Sequence, residues 1–255
     1  MRSIPDDHLG LPVLIKFNNG SSGSGLNIKI NNELFFVTAK HVLVNQSNNL
    51  NGLTGTLTAY SSDYKDELPT ILKLDFEKLM KGGNIKLHST KDVAVIKIGN
   101  LIGEEFGLLP EINLISKSEK GLVWATETNL LAYDNVLVSN DVIIFGYPSS
   151  IGMQNSPQFD YERPLIRKGI IASKYKKANT IILDCPVYYG NSGGPVIQIE
   201  EEKGVLQFRI IGIVSQFVPY VENWVNSKNN VTNTTILNSG YSVAVSIDSV
   251  LELIR

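Results

Sequence analysis

The chain has one cysteine, three histidines and no long apolar run. Cys185 is the only cysteine in 255 residues, so the chain cannot form an internal disulfide. Disulfides accumulate in oxidising compartments, and a single cysteine therefore favours a reducing one. No segment reaches the length of a membrane span, and the first residues lack the apolar core of a signal peptide. We therefore expect a cytoplasmic protein without a membrane partner.

The chain also lacks an excess of charge of either sign. Its 23 basic and 25 acidic residues give a formal net charge of −2. Proteins that bind nucleic acid or anionic membranes use a strong positive field, which this composition does not provide. The basic segment 174–177 is small and is typical of a solvated turn. Nucleic acid is therefore not an expected partner.

Short apolar runs separated by turn residues fill most of the chain, a pattern that predicts an all-β protein. Runs such as Leu11–Phe17, Leu34–Thr38 and Val93–Ile98 predict strands in the first half. Runs at 142–147 and 195–199 do the same in the second half. A C-terminal helix is predicted over Ser249–Arg255, after a capping segment that begins at Ser246.

Three segments without strand character are predicted to be turns or loops. The glycine- and serine-rich segment Asn18–Gly25 is predicted to be a turn, and 99–119 an irregular connection between two halves. The polar, Asn-rich stretch Pro219–Gly240 is predicted to be a mobile loop. It either gates a neighbouring cleft or has no role of its own.

The segment Gly190–Pro195 places a serine, Ser192, among three glycines. Glycine permits positive φ and close approach of another chain. It can therefore leave the amides of Gly190 and Ser192 pointing to one place beside the serine hydroxyl. A nucleophile next to convergent N–H donors suits acyl transfer, because the attacked carbonyl oxygen becomes an oxyanion. Taken alone, the same residues also fit a flexible surface turn.

A general base and its orienting acid are available elsewhere in the chain. Of the three histidines, His8, His41 and His88, the second ends the apolar run that starts at Phe35. Asp92 leads directly into another apolar run. His88 lies four residues before Asp92 and is expected to be a surface or loop histidine.

These segments resemble the three catalytic motifs of the trypsin-like (chymotrypsin-fold) serine peptidases. The matching segments are Thr38–His41, Asp92–Val95 and Gly190–Pro195, in that family's order of His, Asp and Ser. The nucleophile elbow of α/β-hydrolases requires a histidine after the serine, and subtilisin-like enzymes require an aspartate before the histidine. No histidine follows Ser192, and only Asp6 and Asp7 precede His41, in a polar stretch without strand character. Both alternatives fail.

The resemblance extends to the bacterial HtrA-like branch of the family, through Asp141–Pro148 and Lys168–Ser173. It implies two six-stranded antiparallel β-barrels and a short C-terminal helix. The first barrel, 10–105, would carry His41 and Asp92, and the second, 125–255, would carry Ser192 and the helix. We therefore expect a peptidase domain without an appended PDZ module.

The activity implied by the resemblance is that of a serine endopeptidase without metal or cofactor. His41 would be the general base, Asp92 would orient it, and Ser192 would be the nucleophile. The backbone of Gly190, Asn191 and Ser192 would form the oxyanion hole. Partners would be a protein or peptide substrate and a regulatory protein. The alternatives are an ester hydrolase and a catalytically idle module that binds peptides as a scaffold.

The resemblance also places the substrate pocket. Ile211–Phe217 matches the strand that pairs in antiparallel fashion with the substrate backbone. Pro186 stands where trypsin has an aspartate, so selectivity for Lys or Arg is not expected, and Phe217 would restrict the pocket mouth. Asn191 replaces the aspartate of zymogen-activated relatives, so the oxyanion loop should be ordered without N-terminal processing or by a partner. The residues expected to bind substrate are Pro186, Tyr188, Tyr189, Ser215, Gln216, Phe217 and Gly240.

Overall fold

The computed structural model describes residues 4–61, 68–103, 105–119, 121–149, 157–158, 160–229 and 231–255. Within these ranges the protein is built from antiparallel strands with a few short helices, which confirms the predicted all-β class. None of the helices in these ranges is long and apolar enough to cross a membrane. The strands of the first half are β1 (Pro12–Phe17), β2 (Ser22–Ile30), β3 (Glu33–Thr38), β4 (Thr54–Ala59), β5 (Thr70–Asp75), β6 (Ile85–Leu87), β7 (Ala94–Ile102), β8 (Glu105–Leu108) and β9 (Ile112–Ser116).

The second half contains the remaining strands and the longest helix. The strands are β10 (Asp141–Gly146), β11 (Leu165–Tyr175), β12 (Thr180–Asp184), β13 (Pro195–Glu202), β14 (Val205–Asn226) and β15 (Val231–Ser246). The α-helices of the described residues are α1 (Asp6–Leu9), α2 (Lys40–Leu43), α3 (Phe76–Lys81) and α4 (Ile247–Ile254).

The two halves form two sheets. In the described part of the chain, the N-terminal sheet has nine strands in the order β6-β7-β3-β2-β1-β4-β5-β9, with β8 paired to β7. The C-terminal sheet is a closed six-stranded barrel in the order β10-β11-β12-β15-β14-β13. The second barrel therefore has the predicted six strands. The first sheet has nine strands and not the predicted six. Two of the three additional strands, β8 and β9, form within 99–119, a segment predicted to be irregular.

The strand before His41 is buried on both faces because the two halves pack together there. Phe36 of β3 belongs to the core of the N-terminal sheet. Its neighbours Phe35 and Val37 point the other way, into a second cluster that includes Phe145 and Ile213 of the C-terminal barrel. Successive side chains of a strand face opposite sides, so one strand supplies two cores. This double burial explains the continuous apolar run and fixes the end of β3 at the seam.

Helix α4 closes the seam between the two sheets. Its N-cap Ser246 accepts a hydrogen bond from the Asp248 amide at 3.2 Å, the capping role expected of serine. Its apolar side chains, Ile247, Val250 and Ile254, join the cluster between the two sheets. The predicted C-terminal helix is thus present and begins two residues earlier than predicted.

Part of the segment predicted to be a turn before β2 is strand. Only residues 18–20 turn, and β2 starts at Ser22. A Cβ at Gly25 would lie 2.3 Å from the Phe36 ring, so glycine is needed for the close approach of β2 to β3. The glycines of this segment therefore serve strand packing as well as turning.

The predicted loop Pro219–Gly240 is also wrong, because most of it forms a long β-hairpin. Residues 219–226 of β14 pair with residues 231–238 of β15, from Pro219 opposite Asn238 to Asn226 opposite Val231. We call this two-stranded extension of the barrel the arm. The pairing register shifts between Phe217 and Pro219, where the arm leaves the barrel.

Candidate active site

His41 and Asp92 meet because they follow and precede neighbouring strands. His41 lies in α2, directly after β3, and Asp92 lies just before β7, which pairs with β3. The His41 Nδ1 atom lies 2.8 Å from Asp92 Oδ2, and the His41 amide donates to Asp92 Oδ1 at 3.0 Å. A carboxylate can only accept, so Nδ1 carries the proton. The carboxylate therefore fixes both the orientation and the tautomer of the ring and leaves Nε2 free to accept a proton.

A third donor reaches the same carboxylate. The Ser215 hydroxyl donates to Asp92 Oδ2 at 2.6 Å. Burial by itself raises the pKa of Asp92, but the hydrogen bonds from His41 and Ser215 and the charge of His41 outweigh it and hold the pKa below its ordinary value. A lowered folded-state pKa means that the carboxylate stabilises the fold above its unfolded pKa of about 3.9 and that this contribution is lost as pH falls through the lower value. Asp92 is therefore ionised throughout the neutral range.

Ser192 lies in the turn between β12 and β13, in the same cleft as His41. Both residues line two adjoining depressions at the seam, with volumes of about 460 and 410 Å³. The Ser192 hydroxyl donates to the Ser215 carbonyl oxygen at 3.2 Å. No hydrogen bond joins Ser192 to His41, both of which lie in the described part of the chain. The fold thus brings the three predicted residues to one cleft, with the serine hydroxyl directed to Ser215.

The glycines beside Ser192 are required by the backbone of the turn. Gly190 and Gly193 have φ values of +93° and +87°, a region that L side chains rarely adopt. A Cβ at Gly190 would lie 2.2 Å from the Tyr147 carbonyl oxygen, and one at Gly193 would lie 2.1 Å from that of Ser24. Neither position can hold a side chain without moving the backbone.

The predicted set of oxyanion donors needs one correction. The Asn191 amide donates to the Tyr188 carbonyl oxygen at 3.0 Å and is therefore occupied. The Asn191 side chain in turn accepts from the Tyr188 amide at 3.2 Å. For the amides of Gly190 and Ser192, no hydrogen bond to another described residue is present. These two amides, and not that of Asn191, are available to an incoming oxygen.

Ser24 is a site residue that the sequence did not reveal. It is fully buried at the start of the seam, and its hydroxyl donates to the Gly190 carbonyl oxygen at 2.6 Å. The Ser24 hydroxyl oxygen accepts from the Tyr147 amide at 2.9 Å, and the Ser24 amide donates to the Ser192 carbonyl oxygen at 2.9 Å. Ser24 therefore ties the turn that carries Ser192 to the N-terminal sheet. Its glycine-rich surroundings predict a turn and give no sign of this role.

Substituting Ser24 should destabilise the protein. Ser24→Ala leaves the Gly190 carbonyl and the Tyr147 amide without this partner, and buried polar groups left unpaired cost about 1–3 kcal/mol. We expect a loss of that size in the free energy of unfolding, measured by urea denaturation. Ser21→Ala, which removes an exposed hydroxyl next to the same strand, is the matched control and should change the free energy by less than about 0.5 kcal/mol. A Ser24→Ala protein as stable as its parent would contradict the role given to Ser24.

Five of the seven predicted substrate-binding residues line the cleft, with Val187 in addition. Pro186 and Gly240 are not among its lining residues. Val187, the residue after Pro186, takes its place in the wall, and Gly240 lies at the register shift where β15 leaves the barrel. The predicted residues that do line the cleft are Tyr188, Tyr189, Ser215, Gln216 and Phe217.

Aromatic and cationic contacts shape this wall. The rings of Tyr189 and Phe217 meet edge-on with centroids 5.9 Å apart. The Arg167 guanidinium lies 4.6 Å from the centre of the Tyr188 ring, a cation–π contact. Asn238 donates a hydrogen bond to the Val187 carbonyl oxygen at 2.6 Å and so fixes the position of Val187 in the wall.

Cys185 lies near this wall but is not a second nucleophile. Its side chain is fully buried, and burial raises the pKa of its thiol to about 11. The thiolate is the reactive form of cysteine. Cys185 is therefore protonated and inert at neutral pH.

His88 lies in the loop after β6, one of the two positions predicted for it, but it is buried and not at the surface. Only 7% of it is exposed. Its Nδ1 accepts from the amides of Thr90 and Lys91 at 3.2 and 3.0 Å, so the ring proton lies on Nε2, which donates to Glu252 of α4 at 3.0 Å. The neutral ring thus shapes the turn that leads to Asp92 and joins it to the C-terminal helix.

The two amides bonded to His88 allow a test with two substitutions. His88→Ala removes their acceptor and should lower the free energy of unfolding by about 1–3 kcal/mol. His88→Asn keeps an acceptor that can reach the amides two and three residues later, as in an Asx turn, and should be more stable than His88→Ala. Urea denaturation of both variants provides the measurement. Equal stability of the two variants would contradict this account of the turn.

Solved structures with a similar fold include proteases and a protein named for binding heparin. The HtrA-type protease AlgW is 16% identical with a TM-score of 0.51, over 96% of this chain and 59% of that chain. The thermostable serine protease AL20 from an extremophilic microorganism is 12% identical with a TM-score of 0.53, over 97% and 96%. Human heparin binding protein is 10% identical with a TM-score of 0.56, over 99% and 93%.

Such low identities show a shared fold and no more. The chain spans only about three fifths of the length of AlgW. No curated protein matches the chain. The family profile described as the trypsin-like peptidase domain matches residues 23–205, which include His41, Asp92 and Ser192. The chain therefore belongs to the trypsin-like peptidase domain family.

Proposed function

We propose that the chain is a serine endopeptidase that cleaves peptide bonds with Ser192, His41 and Asp92. The observation that carries this proposal is the pair of hydrogen bonds from His41 to Asp92, in the cleft that Ser192 also lines. Membership of the family supports peptidase function and protein or peptide substrates. The roles of the three residues follow the Ser-His-Asp mechanism of that family.

In the proposed reaction the Ser192 hydroxyl turns from the Ser215 carbonyl to His41 Nε2. As Oγ attacks the peptide carbonyl carbon, its proton passes to Nε2, and the carbonyl electrons move to the oxygen. The C–N bond then breaks, and His41 returns the proton to the leaving amine. Water repeats the sequence on the acyl-enzyme, which releases the acid and restores the Ser192 hydroxyl. Asp92 stabilises the imidazolium that forms in each half.

The oxyanion is proposed to bind the amides of Gly190 and Ser192. Two fixed N–H donors aimed at the developing charge need no reorganisation during the reaction. Ser24 supports this arrangement through its hydrogen bond to the Gly190 carbonyl oxygen. Because this hydrogen bond fixes the direction of the Gly190 carbonyl, it limits the rotation of the peptide units on either side of Gly190.

The turn is proposed to be active without N-terminal processing. Asn191 and Tyr188 close it with reciprocal hydrogen bonds, so no ion pair with a freed N-terminus is needed. A chain carrying an N-terminal fusion, which blocks the terminal amine, should cleave casein as fast as the unfused chain. Activity that appears only after the fusion is removed would contradict this proposal.

A catalytically idle peptide-binding scaffold is the second candidate. One observation favours it: the Ser192 hydroxyl is hydrogen-bonded to Ser215 and not to His41. In that case the cleft would hold an extended peptide without cutting it. The two candidates share the cleft and differ in whether Ser192 reacts.

Hydrolysis of fluorescein-labelled casein separates the two. The endopeptidase proposal expects fluorescent peptides to be released by the intact chain and not by Ser192→Ala. The scaffold proposal expects both proteins to bind casein and neither to cleave it. Cleavage that persists in Ser192→Ala would contradict the proposed nucleophile and point to a contaminating protease.

A further inference from the structure

The arm joins the barrel beside the cleft wall. Asn238, at the base of the arm, donates to the carbonyl oxygen of Val187, which lines the cleft with His41 and Ser192. The Ser239 hydroxyl donates to the Val218 carbonyl oxygen at 2.7 Å and joins the two strands at the same place. Whatever binds in the cleft on this side therefore lies next to the base of the arm.

The arm exposes apolar side chains on both of its faces. Directly opposed residues share a face of the ribbon, so Tyr220 and Leu237 lie on one face, and Val221 and Ile236 lie on the other. The large apolar side chains of the arm are between 47% and 70% exposed. The only charged residue in its paired segments is Glu222. An isolated two-stranded hairpin is marginally stable in water. A ribbon with one charged residue in its paired segments and with apolar side chains exposed on both faces favours a polypeptide partner with apolar side chains.

One edge of β14 is open from the cleft to the tip of the arm. On that edge β13 pairs with β14 only as far as Ile213. The amide and the carbonyl of Val214 still bond to Gly194 and Gly193 on that edge. From Ser215 to Asn226, within the described residues, no strand covers that edge, while the other edge pairs with β15. Ser215, Gln216 and Phe217, which line the cleft, belong to this open stretch. Unpaired N–H and C=O groups of an edge strand are a template for another chain.

The direction of a bound substrate follows from the proposed function, on which this inference rests. Ser192 contacts Ser215, so the cleaved bond lies at the Ser215 end of the open edge. A substrate strand antiparallel to β14 then runs from there past Phe217, with residues before the cleaved bond leading toward Pro219. The arm adds eight residues of β14, from Pro219 to Asn226, or roughly 26 Å of strand.

We infer that the arm binds the segment of the polypeptide substrate that precedes the cleaved bond. The bound segment pairs with the open edge of β14 and packs apolar side chains against those of the arm. The substrate class is therefore an extended chain whose apolar residues begin about four positions before the cleaved bond. Short peptides that fill only the cleft lack these contacts and bind more weakly.

Two matched double variants test this inference with fluorescein-labelled casein, an unfolded polypeptide. The arm variant carries Trp224→Ser and Ile236→Ser, at side chains 63% and 65% exposed on opposite faces. The control carries Ile102→Ser and Ile115→Ser in the N-terminal sheet, at side chains 71% and 60% exposed. Because all four side chains are largely exposed, both variants should fold, and equal melting temperatures will verify it.

Casein binding is measured by fluorescence anisotropy with both variants placed in Ser192→Ala protein, so that cleavage does not interfere. Burial of a large apolar side chain contributes enough for at least a tenfold change in Kd. We expect casein to bind the arm variant roughly tenfold more weakly than the control. In the proteins that retain Ser192, the arm variant should show a raised KM for casein with kcat and fluorophosphonate labelling unchanged.

Equal Kd values for the arm variant and the control would overturn the inference, even if the wild-type protein cleaves casein. A dimer that depends on the arm, with casein binding unaffected by the arm variant, would also overturn it and assign the surface to a second copy of the chain. Arm-dependent binding without any cleavage would support the arm as a polypeptide-binding surface and overturn the proposed peptidase function. The proposed role of the arm and the proposed peptidase function are therefore contradicted by different results.

Discussion

Replacing Ser192 with alanine is expected to lower the turnover of casein hydrolysis by a factor on the order of 10⁶, as in other Ser-His-Asp enzymes. Alanine removes the oxygen that would form the acyl-enzyme, and none of the neighbouring groups described above replaces it. Cys185, the only cysteine, is buried and protonated. The fold should be unaffected, because the Ser192 hydroxyl makes a single hydrogen bond at 3.2 Å.

The same prediction extends to a double variant. If Ser192 and His41 act as one unit, either alanine substitution alone should remove nearly all turnover, and the double substitution should remove little more. Ser47→Ala, an exposed serine away from the cleft, is the control and should keep full activity. Independent, multiplying losses in the double variant would contradict a shared proton transfer between the two residues.

Asp92→Asn is expected to lower turnover by a factor on the order of 10⁴ with the fold retained. The two carboxylate oxygens of Asp92 accept from the His41 ring, the His41 amide and the Ser215 hydroxyl. An asparagine must turn its NH₂ group toward one of these donors. If the NH₂ group faces Nδ1, the ring proton moves to Nε2, which can then no longer accept from Ser192. If it faces the His41 amide, two donors oppose each other and the ring is displaced.

The kinetic measurement is kcat for casein at neutral pH, compared with Asp184→Asn as a control. Asp184 is an exposed carboxylate eight positions before Ser192 in the chain, so its substitution makes the same change of charge outside the hydrogen-bond network of Asp92. We expect the control to remain within about twofold of the parent, since surface substitutions have small effects. Equal activity of the two variants would contradict the role proposed for Asp92.

The positions of His41 and Asp92 could be predicted because each adjoins an apolar run. A run as continuous as Phe35–Val37 requires burial on both faces, and such a strand lies between two packed units. In this protein those units are the N-terminal sheet and the C-terminal barrel. A residue at the end of such a strand must therefore lie at the seam. The chain order of the motifs then selects one family among the serine hydrolases.

The roles of Ser24 and His88 could not be predicted from the sequence, for a different reason. Their roles depend on acceptors and donors that are distant in the chain, such as Gly190 for Ser24 and Glu252 for His88. A serine between glycines and a histidine in a polar loop look the same whether they are exposed or buried. Only the packing of the two halves of the protein determines whether these residues are exposed or buried.

The sequence predicts a loop at the arm because the polar composition of this segment outweighs its strand signal. Asparagines near both of its ends predict a loop, yet 231–236 contains five β-branched residues among six, and such residues favour strands. The pairing is local, between strands joined by a short turn, so it needs no distant partner to form. The β-branched content of this polar segment is therefore a better guide to its structure than its average polarity.

The proposed reaction of Ser192 with His41 as its base is tested most directly by mapping where a fluorophosphonate reacts with the intact, folded chain. Such a probe modifies only a serine whose proton is removed by a neighbouring base, so it reports the contact between His41 and Ser192 in solution. We expect one adduct, located on Ser192 by peptide mass analysis and absent from His41→Ala. A folded protein that takes up no probe, or that carries the adduct on another serine, would contradict the proposed reaction.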